Sequence, residues 1–346
     1  MKPLHHYVGA IHIHTTYYDG SKPIEEVIAI GQKVGLDFML FSDHMTLKGL
    51  EEKKEGWHDR TLVLVGYEIN DREDRNHLLA FNLKQVLPAE LKPKDYVRKV
   101  RENGGLGIVA HPDEVRNKLP QYRPYPWNAW DADGFDGIEI WNQMSEWMEK
   151  LTRWNRLAMV FRPRRSLLGP TPRILARWDE YSQKRPTAGT GGVDVHAYPY
   201  KLGPLTIIIF PYEVQFKSIR THVLLDKPLA KEFPEAKKQL LDAIRQCRVF
   251  ISNYRWGEAM TFRFWAENGE EEVAIGETIS LKGILRLHAH FPRPCASRLI
   301  HNGRVAAAAK GMVLHYETKS PGVYRIEAYR KGRGWIYSNH IRVKPQ

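Results

Sequence analysis

Histidine, aspartate and glutamate recur in this chain at the ends of short apolar runs, and side chains of those types can hold divalent cations and move protons. Six such runs are VGAIHIH with His12 and His14, FMLFSDH with Asp43 and His44, LVLVGYE with Glu68, GIVAHP with His111, GIEIW with Glu139, and GGVDVH with Asp194 and His196. Asp19 in a DGS turn and His77 in NHLLAF add two more candidates. Imidazole and carboxylate suit zinc, manganese or iron, and the lack of cysteine among them argues against a structural zinc finger. His12, His14, Asp19, His44, Glu68, His77, His111, Glu139, Asp194 and His196 are more ligands than one ion uses. Two or three divalent ions, a carboxylate bridging a pair, are the expected accommodation.

Each residue alone has an ordinary reading. One His at a strand end is usually hydrogen-bonded, HxH by itself is a weak signal, Asp19 is a natural turn residue, and Glu68 could cap a helix. Asp43 is better suited to orienting an imidazole or backbone than to binding metal. The metal reading rests on the coincidence of all of them at successive strand ends.

The runs themselves have the length and Val/Ile/Leu content of buried strands. Between them lie helical patterns over 24–35, 94–103, 144–159, 171–182 and 234–247, with Ser21 as a candidate cap ahead of Pro23. Strand therefore alternates with helix, as in a parallel sheet or barrel whose functional residues sit at the carboxyl ends of the strands. Residues i and i+2 of a strand share a face, which would let His12 and His14, or Asp194 and His196, reach one ion. Beyond Trp256 the texture changes to short alternating segments, MTFRFWAE, ILRLHAHF, GVYRIEAYR and WIYSNHIRV, the pattern of a small all-β immunoglobulin-like sandwich. His288, His290, His301, His315 and His340 lie there and are read as surface or packing residues. The expected domains are thus 1–256 and 257–346.

With 346 residues and 42 % apolar content the chain can fill ordinary cores. No run approaches the roughly twenty apolar residues of a membrane helix, and MKPLHHYVGA lacks the apolar stretch of a signal peptide. Two cysteines outside any CxxC pattern suit a reducing compartment, so a cytoplasmic protein without membrane insertion is expected. The net charge of +12 is concentrated in residues 150–185, where ten Lys or Arg face only Asp179 and Glu180. Such a segment favours anionic partners, or is a solvated helical surface. Trp147, Trp154 and Trp178 among its arginines could stack on a nucleotide or belong to a core.

In order, HxH, DGS, SDH, GYE with a following His, AHP and DVH resemble the PHP family, the polymerase and histidinol phosphatase superfamily, over about residues 5–253. The resemblance implies a distorted seven-stranded (β/α) barrel holding a trinuclear site. It implies His12, His14, Asp194 and a bridging Glu68 at the first ion, His77 and His111 at the second, and Asp19, His44 and His196 at the third. Many members carry His where Asp19 stands, and Glu139 falls where some have a His ligand. The tail resembles the carboxyl-terminal sandwich of some bacterial PHP proteins.

The leading expectation is hydrolysis of a phosphate ester by a metal-bridging hydroxide, since bound metal brings the pKa of water from 15.7 towards about 7. Asp43, His44 and His196 are the expected catalytic residues, Asp43 by orienting its neighbours and the histidines by holding a phosphoryl oxygen or protonating the leaving group. The expected partner is a small anionic phosphorylated substrate, whether nucleotide, oligonucleotide or metabolite. A noncatalytic metal- or nucleic-acid-binding module and a hydrolase of a non-phosphate bond are the alternatives, because ligands prepare a nucleophile without choosing its electrophile.

Overall fold

The computed structural model describes residues 3–73, 75–119, 121–202 and 204–345. They form two compact units: Val8–Leu167 with Gly191–Arg220, and the segment ending at Tyr7 with Leu168–Thr190 and the chain from Thr221 onward. The fold is mixed α/β on a large sheet.

The strands that serve the first unit are β1 (His5–Ile13), β2 (Phe38–Phe41), β3 (Gly56–His58), β4 (Thr61–Val65), β5 (Tyr67–Ile69), β6 (Leu78–Phe81), β7 (Leu106–Val109), β8 (Gly137–Asn142) and β9 (Ala188–Val195). β1 pairs in parallel with both β2 and β9, and β2 in parallel with β4. β5, β6 and β7 are antiparallel neighbours, and β7 runs parallel to β8. A bridge between His44 and Glu68 ties the end of β2 to β5. Strands β2, β4, β7 and β8 are buried along their whole length, which is why they read as unbroken apolar runs rather than alternating ones. The helix Ile24–Lys33 makes the crossover that a parallel β1–β2 pair requires, with Ile24, Val27 and Ile28 on its buried face.

Two local expectations need correction. The helical pattern over 144–159 is two helices, Gln143–Lys150 and Arg156–Phe161. Asn155 breaks it: its side chain accepts from Thr152 N–H at 2.8 Å and donates to the Lys150 carbonyl at 2.9 Å, offering the backbone partners that a continuous helix would otherwise supply. Ser21 does not cap the helix at Ile24, whose start has no side-chain cap. Its N–H instead donates to the His196 carbonyl at 2.9 Å.

In the second unit, Arg263–Glu267 pairs antiparallel with Glu272–Ala274 and Leu285–His301. Leu285–His301 pairs antiparallel with Arg304–Thr318 and Gly322–Arg330, and the latter with Arg333–Ser338 and Ile341–Lys344. Thr278–Ser280 is the exception, running parallel to Ile341–Lys344. Burial alternates along Leu285–His301, as expected of a strand with one face inward, and Phe264, Leu287, Leu299, Ile326 and Trp335 share its core.

His340, read from the sequence as surface or packing, is buried and bonds Asp179 at 2.8 Å. Arg325 meets the same carboxylate through two nitrogens at 2.6 and 2.8 Å, and donates to Glu327 at 2.8 Å. Trp178 is core, with the Arg325 guanidinium over its ring.

Candidate metal centre

His12, Asp194 and His111 all have positive φ, at 71°, 51° and 27°. Side chains other than glycine seldom adopt that region, and residues held there cluster at functional sites. The register of β1 against both β2 and β9 shifts between Ile11 and Ile13, so His12 sits in a bulge. The simple i, i+2 alternation expected of His12 and His14 therefore does not apply. A left-handed residue re-aims the first imidazole, and both reach the site by that route.

Glu68, fully buried on β5, is the centre of the cluster. One carboxylate oxygen lies 2.6 Å from His77 Nδ1 and 3.0 Å from His111 Nε2, while the other lies 2.9 Å from His12 Nε2, 3.4 Å from His14 Nε2 and 3.6 Å from His44 Nδ1. Asp194 Oδ1 is 3.5 Å from both His12 Nε2 and His14 Nε2. Asp19 reaches His196 Nε2 at 3.2 Å, His14 Nδ1 at 3.6 Å and His44 Nε2 at 3.9 Å.

Ligand atoms thus converge in overlapping groups: His12, His14 and Asp194; His12, Glu68 and His111; His44, Glu68 and His77; and His14, Asp19, His44 and His196. His14 shows most directly that the site fits an ion. Its ring is completely buried, yet neither nitrogen makes a hydrogen bond, and carboxylate oxygens surround it at 3.4–3.6 Å. Burying polar atoms without partners is costly, and a cation between imidazole and carboxylate removes that cost.

The electrostatics are those of a charged cluster balanced by protons. Burial works against a charged His14, but Asp194 and Glu68 outweigh it and lift its pKa to about 9. His12 follows the same pattern: burial lowers it, and Asp194, Glu68 and Glu139 raise it well above the ordinary imidazole value. Burial would raise Glu68 and Asp194, but the surrounding imidazoles, His12 foremost, hold both well below the usual carboxylate range. Burial dominates at His44 and takes it down to about 4.

Glu139 and Asp43 are in none of the ligand groups found among the described residues. Glu139 spends its oxygens on His12 Nδ1 at 3.0 Å, the His111 N–H at 2.8 Å and the Asn142 amide at 2.8 Å. Asp43 accepts from Thr15 N–H at 2.6 Å and Thr15 Oγ1 at 2.8 Å, fixing the backbone just after His14.

Other residues position the site without having shown it in the motifs. Asn142 caps the helix Gln143–Lys150 by accepting from Ser145 N–H, while its amide reaches Glu139 and Asp194, the latter at 3.3 Å. Its place just before a helical pattern was the available signal. Asn70 Oδ1 lies 2.9 Å from His44 Nδ1; a tautomer that donates there leaves Nε2 free to meet an ion. Tyr212 donates to the His14 carbonyl at 2.8 Å, and nothing in its local sequence marks it.

The cluster opens into a cavity of about 580 Å³ whose lining includes Tyr18, Arg116, Tyr125, Trp147, Leu151, Tyr198 and Phe210. Among the described lining residues Arg116 is the one Lys or Arg. The arginines of 150–185 do not line the cavity, Trp147 is buried in an apolar cluster, and Trp154 is 91 % exposed.

No family model matches the chain. An uncharacterized protein of Methanocaldococcus jannaschii is 29 % identical over 144 residues, 38 % of this chain and 80 % of that protein. Among solved structures, a two-domain protein of Bacteroides vulgatus described as containing a predicted PHP-like metal-dependent phosphoesterase covers 97 % of this chain and 95 % of its own, at 14 % identity and a TM-score of 0.46. A Bifidobacterium adolescentis protein described as a candidate metal-dependent phosphoesterase covers 60 % and 94 %, at 17 % identity and a TM-score of 0.39. An amidohydrolase of Chromobacterium violaceum covers 59 % and 92 %, at 14 % identity and a TM-score of 0.35.

Proposed function

We propose that this chain is a metal-dependent phosphoesterase of the PHP type, with its chemistry in a distorted (β/α) barrel domain over 1–256 and an immunoglobulin-like sandwich over 257–346. The observation that carries the reading is the buried, unbonded His14 ring among overlapping groups of imidazole and carboxylate atoms that open into one cavity. His12, His14, Asp194 and Glu68 would hold a first ion, His77 and His111 with Glu68 a second, and Asp19, His44 and His196 a third. Bound manganese, iron or zinc would supply charge neutralisation at the phosphoryl oxygens and a more acidic water.

The chain's own residues do the rest. Glu139 fixes the His12 ring through Nδ1, and Asp43 fixes the turn after His14 through Thr15. We assign His196, beside Asp19 and lining the cavity, to help hold the third ion against a phosphoryl oxygen. Arg116, held by Glu114 at 2.9 Å and lying over the Tyr125 ring, is placed to meet phosphoryl charge. The lysines and arginines of 150–185 do not line that cavity.

The test is metal content per chain by mass spectrometry on protein purified without affinity tag or chelator, followed by a phosphate-release screen with the ion found. Two or three equivalents with phosphate release, both lost in Asp194→Ala, is the expected result. Bound metal with turnover only of amides or lactones would move the assignment to another hydrolase class. Less than one equivalent after incubation with each ion would overturn the reading.

A further inference from the structure

The cavity is not polar throughout. Met144, Trp147, Met148, Leu151, Ile209 and Phe210 line the same space as the ligand histidines. This wall offers little to a polar group. The Trp147 indole N–H is already donated to the Met159 carbonyl at 3.0 Å, and its ring meets Phe210 edge-on with centroids 4.4 Å apart. Aromatic rings also line the space beside the ligands: Tyr198 stacks on His196 at 5.0 Å and Tyr125 on His77 at 5.1 Å. Against this apolar surface, Arg116 is the one cationic side chain among the described lining residues, and Glu114 already engages its guanidinium.

On the Met144–Leu151 and Ile209–Phe210 wall, away from the ligand cluster, a second phosphate would find no cation and a polyol's hydroxyls no partner. Both mismatches are costly, because desolvated polar groups left unpaired lose affinity. An apolar or aromatic group placed there gains by burial, and a cavity of about 580 Å³ is in the range that takes a small organic molecule.

Resting on the phosphoesterase reading, we infer that the substrate is a phosphate ester of an apolar alcohol or phenol: one phosphoryl group at the histidine cluster and a hydrophobic, preferably aromatic, organic part on the Met144–Leu151 and Ile209–Phe210 wall. Nucleoside polyphosphates and oligonucleotides are outside this class.

Binding separates this inference from the reading beneath it. Non-hydrolysable benzylphosphonate and methylphosphonate, which share the phosphoryl mimic and differ in the apolar part, are titrated by calorimetry into the metal-loaded full chain. Benzylphosphonate should bind more tightly, by a factor on the order of ten or more. Met148→Gln and, separately, Ile209→Gln, both at half-buried positions, should shrink that ratio towards one. Turnover of benzyl phosphate and glycerol phosphate, whose leaving groups are both simple alcohols, should show the same preference in kcat/KM. Equal affinity for the two phosphonates, or a ratio that neither variant moves, overturns the inference and leaves the phosphoesterase reading standing. Failure to bind either phosphonate overturns both.

Discussion

Glu139 shows how a side chain can shape a candidate metal site through the residues it bonds. Its carboxylate accepts a hydrogen bond from the His12 Nδ1–H, which leaves Nε2 directed at Glu68 and Asp194. Such partners set the tautomer and ring orientation of a ligand, and replacing them usually lowers metal affinity or activity about 10–100-fold. Glu139→Gln keeps the shape but can present its amide N–H to His12 and lose the acceptor. It should lower metal affinity by a factor in that range, read by competition with a chromogenic chelator; unchanged affinity would show that His12 needs no such partner.

Among the elements, β9 is constrained by the residue opposite it. A Cβ on Gly192 would lie 1.5 Å from Glu139 Oε1, so glycine is required for β9 to approach β8 while Glu139 faces His12. Gly192→Ala must displace Glu139 or the strand. The expected cost is about 2 kcal/mol of stability, as for other overpacked interiors, together with reduced metal retention, measured by urea unfolding and metal content. Metal retention at the native level would mean that the strand shifts without disturbing His12.

The helix Pro172–Lys184 supplies Asp179 to the buried group with Arg325 and His340. Burial would raise the Asp179 carboxyl, but hydrogen bonds from Arg325 and His340 win and hold it at about 2. Because that value lies below the ordinary carboxylate one, the stabilisation is fully present above about pH 4 and is lost as pH falls through about 2. Asp179→Asn, which leaves the Arg325 charge without its main partner, should cost about 3 kcal/mol at pH 7. Its stability should also be flatter between pH 4 and 2 than that of the wild type, as followed by chemical denaturation. Equal acid sensitivity of the two proteins would remove Asp179 from the acid transition.

At the scale of the whole chain, folding gathers the ligand cluster from residues as far apart as His12 and His196, so the ions should be linked to stability. An ion at a hundred times its Kd stabilises the folded state by about 2.7 kcal/mol, which for a unit of this size raises Tm by roughly 5–10 °C. Calorimetry with and without chelator should show that shift, and addition of the retained ion should restore it. A transition indifferent to chelation and to each ion would mean that the histidine cluster is stable as a hydrogen-bonded network alone. Among the described residues no helix is long and apolar enough to cross a membrane.

Much of this site is written locally. Apolar runs ending in His, Asp or Glu mark buried strands and their terminal polar residues, because a strand buried on both faces must be apolar and its polar side chains are left to the end. His12, His14, His111, Asp194 and His196 are readable on that basis. Their final geometry is not local. The bulge at His12 and the left-handed turns at His111 and Asp194 depend on pairing with neighbouring strands. The partition of Glu139 and Asp43 away from the ligand groups depends on which donor folding brings within 3.0 Å. His340 finds Asp179 across 161 positions of sequence, and the apolar wall arises when Met148 and Ile209 come to line one cavity. Residue types and strand ends follow from short-range burial pattern, which a linear chain displays. Partners, tautomers and cavity walls follow from long-range packing, which brings together side chains far apart in sequence.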